Sequence, residues 1–224
     1  MTVIYEERPS DSPFVQTIWH VCAVSDGADI VAADGSWDII ITHRNGKTEL
    51  KVWGAMTQAA LIDHYEGDEV LGIRFKLGAF MPHFPADTLV DFGIALPEAT
   101  SKSFWLDGSA WQFPNFENVE TFLARLARKQ LLISDPVVES TMQGHLKGVS
   151  PRSIQRYFQR STGLTQRSIF QIERARQAAA LLQEGVTIPD TVDLAGYTDQ
   201  PHLTKALKRY IGLTPAQIVR MRWA

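Results

Sequence analysis

The chain has 224 residues, 45% of them hydrophobic and 21% charged, with a net charge of −3; this is ordinary globular composition, enough for one large domain or two average ones. No run of about 18 apolar residues is present, which argues against a membrane-spanning helix. The single cysteine, Cys22, excludes an intrachain disulfide and a cysteine-rich zinc site. The opening MTVIYEERPSDSP is acidic and polar, unlike a signal peptide, so a cytoplasmic location is expected.

The net charge conceals a polarity. Residues 1–115 carry 7 Lys+Arg against 16 Asp+Glu, a net −9, and residues 116–224 carry 15 against 9, a net +6. An acidic module joined to a basic one is one reading, and the basic half then suits a polyanion whose counterions it displaces. An unevenly charged, solvated surface is the other.

The first half reads as β. Gln16–Val24, Trp37–Thr42, Thr48–Trp53, Ala59–His64 and Val70–Leu77 are short runs rich in Ile, Val, Trp and Phe, bounded by Gly, Asp or Asn. Asn45-Gly46 sits between two of them and predicts a type I′ hairpin turn. Near-regular spacing of short strands points to a barrel or sandwich. Cys22, inside an apolar run, reads as a small core residue. Arg74, between Ile73 and Phe75, reads as a structural or surface residue; the alternative is an arginine turned into a pocket to meet a carboxylate.

The period changes near Asn115, expected to cap a helix carrying Val119, Phe122, Leu123 and Leu126 on one face. This gives a β-rich domain over 1–114, a connecting helix over 115–133 and an all-α domain over 134–224, an α+β chain with its strands and helices segregated. Asp135-Pro136 opens a helix carrying Val138, Met142 and Leu146 and ending near Gly148. Ser150-Pro151 opens the next. In it Ile154, Tyr157 and Phe158 share one face, while Arg152, Gln155, Arg156, Gln159 and Arg160 fall mostly on the other. Two short helices joined at a glycine outline a helix-turn-helix, whose second helix lies in the major groove. Arg can bond guanine O6 and N7 bidentately, and Gln adenine N6 and N7. A solvated basic face is the competing reading of this segment taken alone.

The outline repeats. A long helix from Thr165 to Gln183 is followed by a short one carrying Ile188, Val192 and Ala195 and closed by Gly196. Thr198 is expected to cap the next helix, with Leu203, Leu207 and Tyr210 inward and Gln200, His202, Thr204, Lys205, Lys208 and Arg209 outward. Both basic helices run into Gly-Leu-Thr, at Gly163–Thr165 and Gly212–Thr214. The helix between the units spans about 28 Å, suited to holding two reading heads near one DNA turn, about 34 Å, apart.

These residues resemble the AraC/XylS family of transcription regulators: Ser150–Phe158, Thr162-Gly163-Leu164-Thr165, Arg174 with Ala178 and Leu181-Leu182, Gly196–Leu203, Lys208-Arg209 and Gly212-Leu213-Thr214-Pro215. The resemblance covers about 90 residues. It implies a seven-helix DNA-binding domain in which Arg152, Gln155 and Arg156 read bases from the first unit, and Gln200, His202 and Lys205 from the second. Arg160, Lys208 and Arg209 are the accompanying DNA contacts. Departures fall mostly in the second unit: Pro201 replaces a small polar residue, Leu203 an aromatic, and Pro189, Thr191 and Val192 an alanine-rich pattern. Gln166 replaces a proline after the first Gly-Leu-Thr.

The N-terminal half resembles, through Asp34–Ile40, Gly54 and Gly72–Ala79, the cupin-like domain that precedes such DNA-binding domains. That resemblance implies a small-molecule effector site, for which Trp37, Asp38, Trp53 and Arg74 are candidates, or a homodimer interface. Double-stranded DNA is the implied partner, RNA polymerase a further one; no cofactor is called for. A cupin-like shape also houses metal-dependent enzymes, but His20, His43, His64, His83, His145 and His202 form no His-x-His or His-x-x-x-His pair. A protein-interaction adaptor with a degenerate DNA face is the third reading.

Overall fold

The computed structural model describes residues 2–145 and 148–221. The strands are β1 (Val3–Arg8), β2 (Val15–Ala23), β3 (Gly27–Val31), β4 (Asp38–Arg44), β5 (Lys47–Trp53), β6 (Ala60–His64), β7 (Glu69–Phe75), β8 (Ala79–Phe80), β9 (Gly93–Ala95), β10 (Glu98–Thr100), β11 (Ser103–Leu106), β12 (Ser109–Gln112) and β13 (Ile133–Ser134). The helices are α1 (Val119–Arg128), α2 (Pro136–Met142), α3 (Pro151–Thr162), α4 (Gln166–Glu184), α5 (Ile188–Leu194), α6 (Gln200–Tyr210) and α7 (Pro215–Met221). The chain is thus β-rich and then helical, as its changing period predicts. No helix among the described residues is long and apolar enough to cross a membrane.

Six antiparallel strands form an open sheet in the order β1-β2-β7-β4-β5-β9. Its pairings Ile18↔Ile73, Ile39↔Ile73, Ile39↔Val52, Ile41↔Leu71 and Ile41↔Leu50 put the branched side chains on one face. Phe104, Trp111, Phe122, Leu123 and Leu126 cover that face, each large buried side chain contributing roughly 1.5–3 kcal/mol. The helix read as a connector, α1, therefore belongs to the core of the sheet. It starts at Asn118 rather than Asn115. The two asparagines exchange bonds, each side chain accepting the other's backbone N–H at 2.9 Å, and this turn delays the helix. Asn45 and Gly46 both take positive φ, 51° and 73°, as a type I′ turn demands. Strands β3 and β6 pair as a separate ribbon, with Ile30, Leu61 and Ile62 exposed. Cys22, expected in the core, is instead half-buried on β2 between β1 and β7, and burial pushes its thiol up.

The helical region has a second core, built on Phe158, Ile169, Ile172, Ala175, Leu182, Leu203, Leu207 and Ile218. Helix α4 runs through it, its small Ala175, Ala178 and Ala179 letting neighbours approach. Ala33 and Ala55 of the β-rich region are buried in this same core. Leu146, assigned to the first helix, lies outside the described residues; α2 itself ends at Met142.

Candidate nucleic-acid interface

Helix α3 is built locally. Ser150 Oγ accepts the Ser153 N–H at 3.2 Å, Pro151 occupies the first turn, where its missing donor costs nothing, and Gly163 closes the helix at φ 72°. Phe158 is fully buried, while Arg152, Gln155, Arg156, Gln159 and Arg160 are exposed. The expected outward face is therefore the observed one. Arg160 is engaged: its Nη2 donates to Asp135 Oδ2 at 2.7 Å, and Asp135 is 1% exposed. Asp135 also caps α2 through the Val137 N–H. One carboxylate thus starts the first helix of the unit and ties down the end of the second.

The second unit follows the same logic. Thr187 caps α5 by accepting the Asp190 N–H. Helix α6 is capped by Asp199, not Thr198: Asp199 Oδ1 accepts the His202 N–H at 2.7 Å from an extended backbone, the conformation an N-cap adopts. Leu203, Leu207 and Tyr210 are buried, Thr204 is half-buried, and Gln200, His202, Lys205, Lys208 and Arg209 are exposed. Gln200, Pro201, Thr204, Lys205 and Lys208 line a shallow open groove. Pro201 falls within the first turn, so its lack of an N–H leaves the helix intact.

Both units rest on the β-rich region. At the end of α3, a Cβ on Gly163 would overlap the Ala86 carbonyl, and Phe80, Phe84, Pro85 and Asp87 line a groove against Arg156, Gln159 and Arg160. At the end of α6, Ala33 N–H donates to Tyr210 O at 2.7 Å and Ala59 N–H to Arg209 O at 2.8 Å. Between them, Arg176 of α4 reaches the Ala33 carbonyl at 3.3 Å, and a Cβ on Gly35 would lie 2.8 Å from Ile169.

The segment making the α4 and α6 contacts is anchored by the residues singled out as an effector site. Arg74 Nε lies 2.8 Å from Asp34 Oδ2 and 3.2 Å from Asp38 Oδ1, and Arg74 stacks on Trp19. Burial, then the neighbouring Asp34, pushes the Asp38 carboxyl up to about 7, against the pull of Arg74. Arg74 is thus a structural arginine meeting carboxylates. Trp37, 1% exposed, fills the sheet core and is not presented to a ligand; it follows the inward alternation of Ile39 and Ile41. Trp53 is half-buried and lies across Gly93. Asp135 as the partner of Arg160 was not legible in sequence, because 25 positions separate the pair.

The profile of a family described as a helix-turn-helix domain matches residues 146–221. The chain is similar to the HTH-type transcriptional regulator RipA of Corynebacterium glutamicum, at 33% identity over 89 residues, 39% of this chain and 27% of that protein. It is also similar to the HTH-type transcriptional regulator GlxA of Rhizobium meliloti, at 31% identity over 149 residues, 66% of this chain and 44% of that protein. It therefore spans less than half the length of either relative. No solved structure matches.

Proposed function

Because its C-terminal region carries an AraC-type helix-turn-helix domain, we propose that this chain is a sequence-specific, DNA-binding transcription regulator. The carrying observation is the pair of capped helices, α3 and α6, that bury their apolar faces and expose Arg152, Gln155 and Arg156 on one and Gln200, His202 and Lys205 on the other. In this reading those side chains meet base edges, while Lys208 and Arg209 hold phosphates. Arg160, bonded to Asp135, sets the angle of the first unit and keeps donors for a phosphate.

Control enters through the β-rich region, by a small molecule or by dimerisation. The contacts at Gly163, Tyr210 and Arg209 support this, since a rearrangement of the β-rich region cannot leave both reading helices where they are. Arg156→Ala is expected to weaken binding to the cognate site by about 1–3 kcal/mol and to relax specificity there, and Lys208→Ala to lower the salt slope by about one. Gel-shift titrations across salt concentrations measure both. Unchanged affinity in Arg156→Ala would remove α3 from the interface.

A further inference from the structure

We propose that Arg174, Tyr197 and Thr198 are positioning residues that fix the His202 imidazole and so set which base the second unit selects. The inference rests on α6 being a reading helix. His202 is exposed on the first turn of α6, its backbone N–H taken by Asp199. Its ring has two further neighbours. Nδ1 lies 3.4 Å from Thr198 Oγ1. The ring also stands perpendicular to that of Tyr197, with centroids 5.1 Å apart, an arrangement aromatic pairs favour. Tyr197 is 6% exposed and cannot swing aside. The Arg174 guanidinium, 4.1 Å from the Tyr197 ring centre, stacks on it, and Arg174 Nη1 lies 3.4 Å from the Gly196 carbonyl.

A continuous stack therefore runs from the middle of α4 to a side chain on the DNA-facing surface. Arg174 belongs to the sequence signature of the domain yet lies outside the base-reading set; the stack gives it a task. Held on two sides, the imidazole turns Nδ1 toward Thr198 and so leaves Nε2 on the other side of the ring from that contact. The Thr198 contact settles the tautomer in one of two ways: a hydroxyl donating to Nδ1 leaves the proton on Nε2, and an Nδ1–H donating to the hydroxyl leaves Nε2 bare. In the first case Nε2–H is a donor for guanine O6 or N7, or thymine O4; in the second Nε2 is an acceptor for adenine N6 or cytosine N4, and either way the ring reads one class of base edge. A ring free to turn offers donor and acceptor alike and discriminates less.

Selection from random duplexes with the full chain tests this. His202→Ala should flatten the base preference at one position of the second half-site, guanine or thymine if Nε2 donates and adenine or cytosine if it accepts. Thr198→Val, nearly isosteric and exposed, should reduce the preference at that same position by roughly three- to tenfold while the first half-site stays unchanged. Tyr197→Leu should do likewise, and Tyr197→Phe, which keeps the ring, should restore the parent profile. If Thr198→Val leaves the profile untouched while His202→Ala alters it, the positioning role is wrong and the reading role stands. If His202→Ala alters nothing, α6 does not read through this residue and both fall. Should Tyr197→Leu fail to fold, Thr198→Val alone decides.

Discussion

Replacing Gly163 with alanine isolates the contact between the β-rich region and the first reading helix. Gly163 has φ 72° and Gly196 has φ 69°, so an alanine at either pays the same left-handed cost, about 1–2 kcal/mol. The surroundings differ. A Cβ on Gly196 meets nothing within 4 Å, whereas one on Gly163 collides with the Ala86 carbonyl and Val90. That obstacle is backbone and cannot turn away, and overpacking of this kind typically adds about 1–3 kcal/mol. For a chain of this size each kcal/mol lowers Tm by about 2–4 °C. Gly196→Ala should therefore melt about 2–8 °C below the parent, and Gly163→Ala at least about 2 °C lower still. Thermal unfolding followed by circular dichroism measures the difference. Equal melting points for the two variants would show that the Ala86–Gly163 contact does not form in solution, and control routed through it would fall with it.

The folded chain keeps the Asp38 proton up to about pH 7, whereas the unfolded chain releases it near 4. Its contribution to stability is thus greatest below about pH 4 and is lost as pH rises through 7; the difference between parent and Asp38→Asn in urea titrations at stepped pH should fall across that window, and a flat difference refutes the burial argument. Asp199→Ala removes the α6 cap and should cost about 1 kcal/mol of stability, measured by the same titrations; no loss would place the start of α6 elsewhere.

Where burial alternates, the elements are legible. The strands β2, β4, β5 and β7 fall within two residues of the runs read from sequence, since inward Ile, Leu and Val recur at period two, and β6 does so through its Ala-Leu-Ile run before Asp63 and His64. Strand β1 carries no inward pattern because as an edge its residues are half-buried or exposed throughout, and β3, though it pairs with β6, is a short Gly-Ala-Asp-Ile-Val segment whose glycine and aspartate do not mark a strand. The reading faces of α3 and α6 were legible for a local reason: caps, prolines and apolar spacing all act within a few residues. The junction was not. It runs through the amides of Ala33 and Ala59 and the carbonyl of Ala86, groups that every residue carries and that no side-chain pattern advertises. For Trp37 an indole in a strand pattern suits a ligand wall and a core alike, the core being the commoner place for a buried tryptophan; at 1% exposure it lies in the core, immediately before β4, where Phe75 N–H bonds its carbonyl.

The most direct test of DNA recognition by two helices is a hydroxyl-radical footprint on the best selected duplex. Two protected stretches on one face, about one helical turn or 10–10.5 base pairs apart, are expected, with Arg156→Ala erasing one and Lys205→Ala the other. A single protected stretch, or two that survive both substitutions, would contradict the assignment of α3 and α6 as the reading elements.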